Sequence, residues 1–114
     1  MIEKVSKFGN SNEKLVEMPV NTDDIQIRHV ILPKGDFMPK HISNSNVNLV
    51  IVSGEMSITL EEQEQINYGE GTILSIPINT KMLIQNLNSD LLEFFVLKAP
   101  HPKKLGAPEE AIKC

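Results

Sequence analysis

The chain of 114 residues holds one cysteine, Cys114, at its last position, so no disulfide can form within it and the fold has to rest on packing. That use of cysteine fits a reducing compartment, and a cytoplasmic location is expected. Tryptophan is absent and there are one tyrosine and four phenylalanines, which leaves few flat faces for stacking bases or sugars. Bases are the minority, 11 lysines and arginines against 15 acids for a net charge of −4. They do not gather into a stripe that could neutralise a phosphate backbone. Nucleic acid is therefore not an expected partner. No apolar run approaches the roughly 18 residues of a spanning helix. The opening segment, residues 1–10, mixes charges through its apolar positions and offers no signal-peptide core, so no membrane association is expected either.

What is present is a chain long enough for one domain, burying roughly two-thirds of its unfolded surface. Internal repeats, low-complexity tracts and breaks in composition are missing. Short β-like runs separated by Gly, Pro, Asn and Asp fill residues 24–98. From Asp24 to Leu32 the chain alternates, with Ile25, Ile27, His29 and Ile31 on one face and Gln26, Arg28, Val30 and Leu32 on the other, before Pro33 and Gly35 end the run. Val47 to Val52 is apolar except for Asn48 and rich in β-branched residues, which predicts a strand. Met56 to Leu60, a polar tip over 61–65 and a return beginning at Ile66 predict a hairpin. Thr72 to Ile76, Lys81 to Gln85 and Leu91 to Lys98 supply three further strands. With no helical pattern between 24 and 98, the prediction is an all-β barrel or sandwich, closed forms being favoured because they manage exposed edges. Residues 1–23 read as an arm pairing with the barrel or with a partner subunit, 24–98 as the barrel, and 99–114 as a surface tail. In that tail Glu109 to Lys113 could add a helical turn and His101, between two prolines, is expected to face solvent.

Two spacings go further. Gly35 is followed after five residues by His41, then by Ser43, Val47 and, six residues on, Gly54; Gly71 is followed after five residues by Pro77, then by Asn79, Met82 and Asn86. These offsets are those of the two sequence motifs of cupins, Gly-x5-His-x-His-x3-4-Glu-x6-Gly and Gly-x5-Pro-x-Gly-x2-His-x3-Asn. The chain resembles a small single-domain cupin over about residues 25 to 98. Asn79 replaces a glycine at a turn position, where Asn also accepts positive φ. The resemblance implies a jelly-roll barrel, the cupin double-stranded β-helix.

The departures from the motifs bear on chemistry. In metal-binding cupins two histidines and a carboxylate of the first motif and a histidine of the second converge on the metal. In this chain the four slots hold His41, Ser43, Val47 and Met82. Valine cannot coordinate, a neutral hydroxyl is a poor ligand and a thioether favours soft ions. No metal and no other cofactor is therefore expected in a site so depleted. His29 or His101 could rescue a metal site only if folding brought one beside His41, although a lone histidine on an apolar strand face is more often a satisfied core residue. His41 is a candidate catalytic base, acid or hydrogen-bond partner, with no acid at a motif position to orient it. Met38, Met56, Leu49, Ile51 and Phe95 could line a soft pocket or simply fill the barrel.

Three functions follow as alternatives. One is a metal-free barrel that binds an unknown small molecule through His41, Ser43, Val47 and Met82. Another is an enzyme, either an oxygenase- or isomerase-type cupin with a rearranged metal site or a metal-independent epimerase or isomerase using His41. The last is a non-catalytic structural or regulatory module, since small cupins commonly form homodimers. The binding barrel is favoured, because three ligand positions lost together weigh against the family's metal chemistry more than against its fold.

Overall fold

Strand-length apolar runs punctuated by turn residues become nine strands in the computed structural model, which describes residues 2–105. In chain order they are β1 (Leu15–Asn21), β2 (Gln26–Pro33), β3 (Phe37–Ile42), β4 (Val47–Ser53), β5 (Met56–Leu60), β6 (Ile66–Tyr68), β7 (Ile73–Ile76), β8 (Lys81–Gln85) and β9 (Leu91–Lys98), followed by a single 3-10 turn, Pro102–Leu105. They form a five-stranded sheet, β1-β2-β9-β4-β7, facing a four-stranded one, β3-β8-β5-β6. All pairings are antiparallel. The core lies between the sheets. Val30 and Leu32 of β2, Leu92, Phe94 and Val96 of β9, and Val47, Leu49 and Ile51 of β4 meet Met56 and Ile58 of β5 and Met82 and Ile84 of β8.

The turn residues of both motifs have the backbone their spacing implies. Gly35, Gly54 and Gly71 lie at φ 87°, 82° and 82°, and Asn79 takes φ 67° in the place of a glycine. Gly54 is constrained twice, since a Cβ there would also run into the Leu91 carbonyl oxygen. Asn86, the last motif position, is fully buried and ties three segments together. Its Nδ2 donates to Leu32 O at 2.8 Å and to Ser89 O at 2.9 Å, and its Oδ1 accepts from Ser89 N at 3.1 Å. Its backbone carbonyl accepts from Gly35 N at 2.7 Å, so the two motifs meet at this residue.

Two expectations change. Residues 37–42 did not read as a strand, because Pro39 and Lys40 interrupt any alternation. They form β3, an edge strand whose register with β8 shifts between Met38 and His41, which is where a proline can sit without removing a ladder hydrogen bond. The more apolar face of β2 is not the inner one. Arg28, Val30 and Leu32 point into the barrel, whereas His29 and Ile31 lie on the outer face.

That outer face is covered by the arm. His29 is fully buried between two carboxylates, Nδ1 at 2.7 Å from Glu17 Oε2 and Nε2 at 2.6 Å from Glu93 Oε2. Phe8 and Phe95 stand over it with ring centroids 4.8 Å away. Gly9 N donates to Glu17 Oε2 at 2.6 Å, so one carboxylate holds both the arm and the imidazole. The Gly9 hydrogen bond, followed by that of His29, keeps the Glu17 carboxyl below its ordinary value.

Replacing Asn86 with Ala leaves the buried Leu32 carbonyl without this donor and is expected to cost about 2–3 kcal/mol, read from urea unfolding; a loss near zero would remove Asn86 as the tie between the motifs. Because the folded Glu17 value is lowered, arm docking is stabilised above the ordinary carboxylate range and lost as pH falls through the lowered value. Exchange protection of the Gly9 amide is expected to persist at neutral pH and to be lost in acid as the pH falls below the ordinary carboxylate range, and to be absent at every pH in Glu17→Ala. Protection indifferent to both would show that the arm is held otherwise.

Candidate functional site

The ladder β2-β9-β4 carries side chains inward at alternate positions, and near the Lys98 end those positions change from apolar to basic. The inward residues there are Gln26 and Arg28 on β2, Val96 and Lys98 on β9, and Val47 and Leu49 on β4. Lys98 has Gln26 and Val47 as its register partners on either side. The facing sheet contributes Met38 and His41 of β3 and Met82 and Ile84 of β8, with His41 paired to Met82. Between the sheets is a cavity of about 20 Å³ lined by His41, Ser43, Val47 and Met82 together with Arg28, Val30, Met38, Leu49, Ile84, Phe94, Val96 and Lys98. All four motif slots therefore border one space. Its volume is room for about one water molecule.

The polar groups are held in distinct ways. Ser43 is buried, and its Oγ donates to Pro77 O at 2.8 Å while accepting from Thr80 N at 2.9 Å. The serine hydroxyl thus fastens the end of β3 to the turn before β8, and its single proton is committed. His41 lies at the half-buried rim with Nδ1 2.9 Å from Pro39 O. Since a carbonyl can only accept, Nδ1 is the protonated nitrogen in that contact and Nε2 remains for other chemistry. Arg28 is 8% exposed and Lys98 2%. Arg28 Nε donates to Gln26 Oε1 at 3.3 Å and Lys98 Nζ to Asn44 Oδ1 at 2.9 Å, and Arg28, Asn44 and Lys98 each take part in further interactions.

The donors do not fit a resident first-row metal. One imidazole nitrogen, an engaged hydroxyl, a valine and a thioether do not make an N/O ligand set. Among the described residues no three His, Cys, Asp or Glu side chains gather as metal ligands.

Other residues named from the sequence are distributed differently. Met38 and Leu49 line the cavity, while Met56 and Ile51 are core residues away from it. Phe95 is not inside; it packs on the outer face against Phe8 and His29. His29, held there by its two carboxylates, cannot join His41. His101 is not solvent-exposed: it is 8% exposed, its Nε2 lies 2.7 Å from Asn21 Oδ1 and its Nδ1 accepts from Lys103 N at 3.0 Å. This imidazole caps the end of β1 instead of facing water. Glu109 to Lys113 and Cys114 lie outside the described residues. Arg28 and Lys98 were missed as site residues, although alternation along β2 had already put Arg28 on one face with Val30 and Leu32. The signal was a basic residue on an otherwise apolar face, and it was outweighed by the higher apolarity of the opposite face. Among the described residues no helix is long and apolar enough to cross a membrane.

No protein-family model matches the chain. An uncharacterized protein of Methanocaldococcus jannaschii is 62% identical over 115 residues, a match that covers 100% of this chain and 99% of the relative. The crystal structure of an RmlC-like cupin family protein with a double-stranded beta-helix fold, also from Methanocaldococcus jannaschii, is similar with a TM-score of 0.91 at 61% identity, covering 94% of this chain and 99% of that one. A cupin superfamily protein of Desulfitobacterium hafniense shares the fold at a TM-score of 0.70 and 17% identity, covering 82% and 83% of the two chains. The identity to a relative along the whole chain, together with the two facing antiparallel sheets and the motif turns that meet at Asn86, places this protein in the RmlC-like cupin family.

Proposed function

We propose that this cupin is a metal-free barrel that binds a small molecule at the Lys98 end of its interior. The observation that carries the reading is that His41, Ser43, Val47 and Met82 border a single cavity in which no set of metal donors gathers among the described residues. Van der Waals walls come from Val47, Met82 and Met38. His41 Nε2 is the polar group at the rim, and Ser43 supports the rim through the 77–80 turn rather than by donating to a ligand. The cavity of about 20 Å³ is far below the several hundred Å³ of drug-sized pockets. The interior as it stands admits little more than a water, so a ligand of a few heavy atoms enters by displacing the flexible Met38 and Met82 side chains, or a longer molecule inserts only its head group.

The enzymatic alternatives receive less support. A general base needs its proton acceptor oriented and in reach of a substrate. His41 is oriented by a backbone carbonyl, not by a carboxylate, and the space beside it does not admit a sugar ring.

Untagged protein purified without chelator, incubated with Mn, Fe(II), Ni, Cu and Zn and then desalted, is expected to retain well under one equivalent of any of them by elemental mass spectrometry. One equivalent retained by the native chain and lost in His41→Ala would sink the metal-free reading. A panel of neutral, anionic and cationic fragments of two to four heavy atoms, followed by amide NMR shifts, is expected to contain at least one that perturbs residues 41, 47 and 82 together. That response is expected to disappear in Val47→Phe, which fills the cavity. If no fragment perturbs them, the barrel is a filled core without a binding role.

A further inference from the structure

A strand of an antiparallel sheet with one wet side alternates apolar and polar residues, and a strand apolar on both faces is one that is covered on both. β4 and β9 are apolar on both faces apart from Asn48, Ser53, Glu93 and Lys98. On the outer face of the five-stranded sheet, register lines up His29, Phe95, Val50 and Ile73 in one row across β2, β9, β4 and β7. The arm covers only the start of this row, with Phe8 over His29 and Phe95. At its far end Ile73 is 63% exposed, and Val52, two residues on from Val50, is exposed as well. Ile73 also belongs to a sheet edge. Of the strands at sheet edges, β1 and β3 each carry a proline and a register shift, and β6 has three residues, features that discourage a further strand. β7 has neither proline nor register shift, and no described residue pairs with its far side.

The arm has the complementary lack. Residues 2–7 are all exposed, Ile2 and Val5 included, and form no regular element. From Gly9, bonded to Glu17 of β1, the arm passes over His29 of β2 and Phe95 of β9, so it runs across the strands. The two strand spacings from β9 to β7 are about 10 Å, well within the roughly 20 Å that six extended residues span. Reach is therefore not what keeps Ile2 and Val5 off Val50 and Ile73. An arm lying crosswise on an apolar sheet face buries its own N–H and C=O groups without partners, whereas along a free strand edge those groups pair. We propose that a second copy of this chain covers the region, the arm of each copy adding along β7 of the other with Val5 over the exposed Ile73. A twofold arrangement satisfies one arm and one edge in each molecule and closes the assembly at two. The charges agree, since residues 69–80 hold a single charged residue, Glu70, and the arm brings Lys4 and Lys7 against Glu3. This interface does not depend on the binding role of the cavity.

Light scattering on the full chain, with Cys114→Ser to exclude adventitious disulfides, is expected to give twice the mass of one chain at micromolar concentration. Removing residues 2–7, or introducing Ile73→Lys, is expected to weaken association about a hundredfold, because both copies lose the contact at once. The amide NMR spectrum of the core is expected to stay unchanged, since every altered side chain is exposed. The arm is then placed by cross-linking in the same Cys114→Ser background. Chains carrying only Val5→Cys, mixed with chains carrying only Ile73→Cys, are expected to oxidise to a product containing one of each. A single-chain mass at every concentration would overturn the proposal. So would a dimer that forms no mixed product and is indifferent to both variants, because the copies would then meet through another face. A Val5→Cys, Ile73→Cys double variant that closes its disulfide within one monomeric chain would make the chain's own arm the cover. A monomer whose Ile73 amide loses exchange protection on removal of residues 106–114 would make it the chain's own tail. Either result also refutes the second copy.

Discussion

The period of two along the β2-β9-β4 ladder is the constraint on which the rest of this protein depends. Because successive side chains point to opposite faces, the register that pairs Arg28 with Val96 and Val47 with Lys98 also sends His29, Glu93 and Phe95 to the outside. A slip by one residue would exchange the two sets, driving two glutamate-bound imidazole contacts into the core and two bulky basic residues out of it. The register is specified twice over. Inside, Val30, Leu32, Leu92, Phe94 and Val96 are withdrawn from water; outside, His29 is satisfied only if Glu17 of β1 and Glu93 of β9 flank it.

The same alternation explains how the cupin scaffold can carry an interior that departs from the ligand pattern of the two motifs. The turns that shape a cupin are backbone features: positive φ at Gly35, Gly54, Gly71 and Asn79, and the Asn86 node that joins the loop after β2 to the end of β8. They are independent of what the inward side chains are. Ligand positions can therefore be filled by Ser43, Val47 and Met82 without disturbing the scaffold. Ser43 has become part of the scaffold itself by bonding the 77–80 turn, while basic groups have entered the space from the opposite sheet.

The arm is where local sequence and tertiary structure are most tightly coupled. Residues 2–14 form no regular element, yet Phe8 and Gly9 are held by a single carboxylate on β1 and by two rings on the large sheet. Glu17 joins the arm to His29, and His29 joins β1 to β9. Without the arm the outer face of the ladder would present Phe95 and His29 to water, so the segment that reads as a loose end is the cover of a second, smaller apolar layer.

By itself the sequence determined the turns and most of the strands. Gly and Pro at fixed offsets impose backbone geometry with few alternatives, and runs such as Met56–Leu60, Lys81–Gln85 and Leu91–Lys98 were read with the bounds they have. It determined the departures from the ligand pattern as well, since no folding can make Val47 coordinate. Which face of β2 is inner was decided only by the tertiary structure. Apolarity points inward only when one face is wet, and here Ile31 and His29 are both buried on the outer face, His29 under Phe8 of the arm, while Arg28 is buried inside. The strand character of 37–42 also depended on context, because an edge position with a bulge tolerates Pro39 where a central strand would not. His101 and Lys98 were settled by partners far away in sequence, Asn21 for the one and Asn44 for the other; a hydrogen bond formed across the fold leaves no trace in local composition.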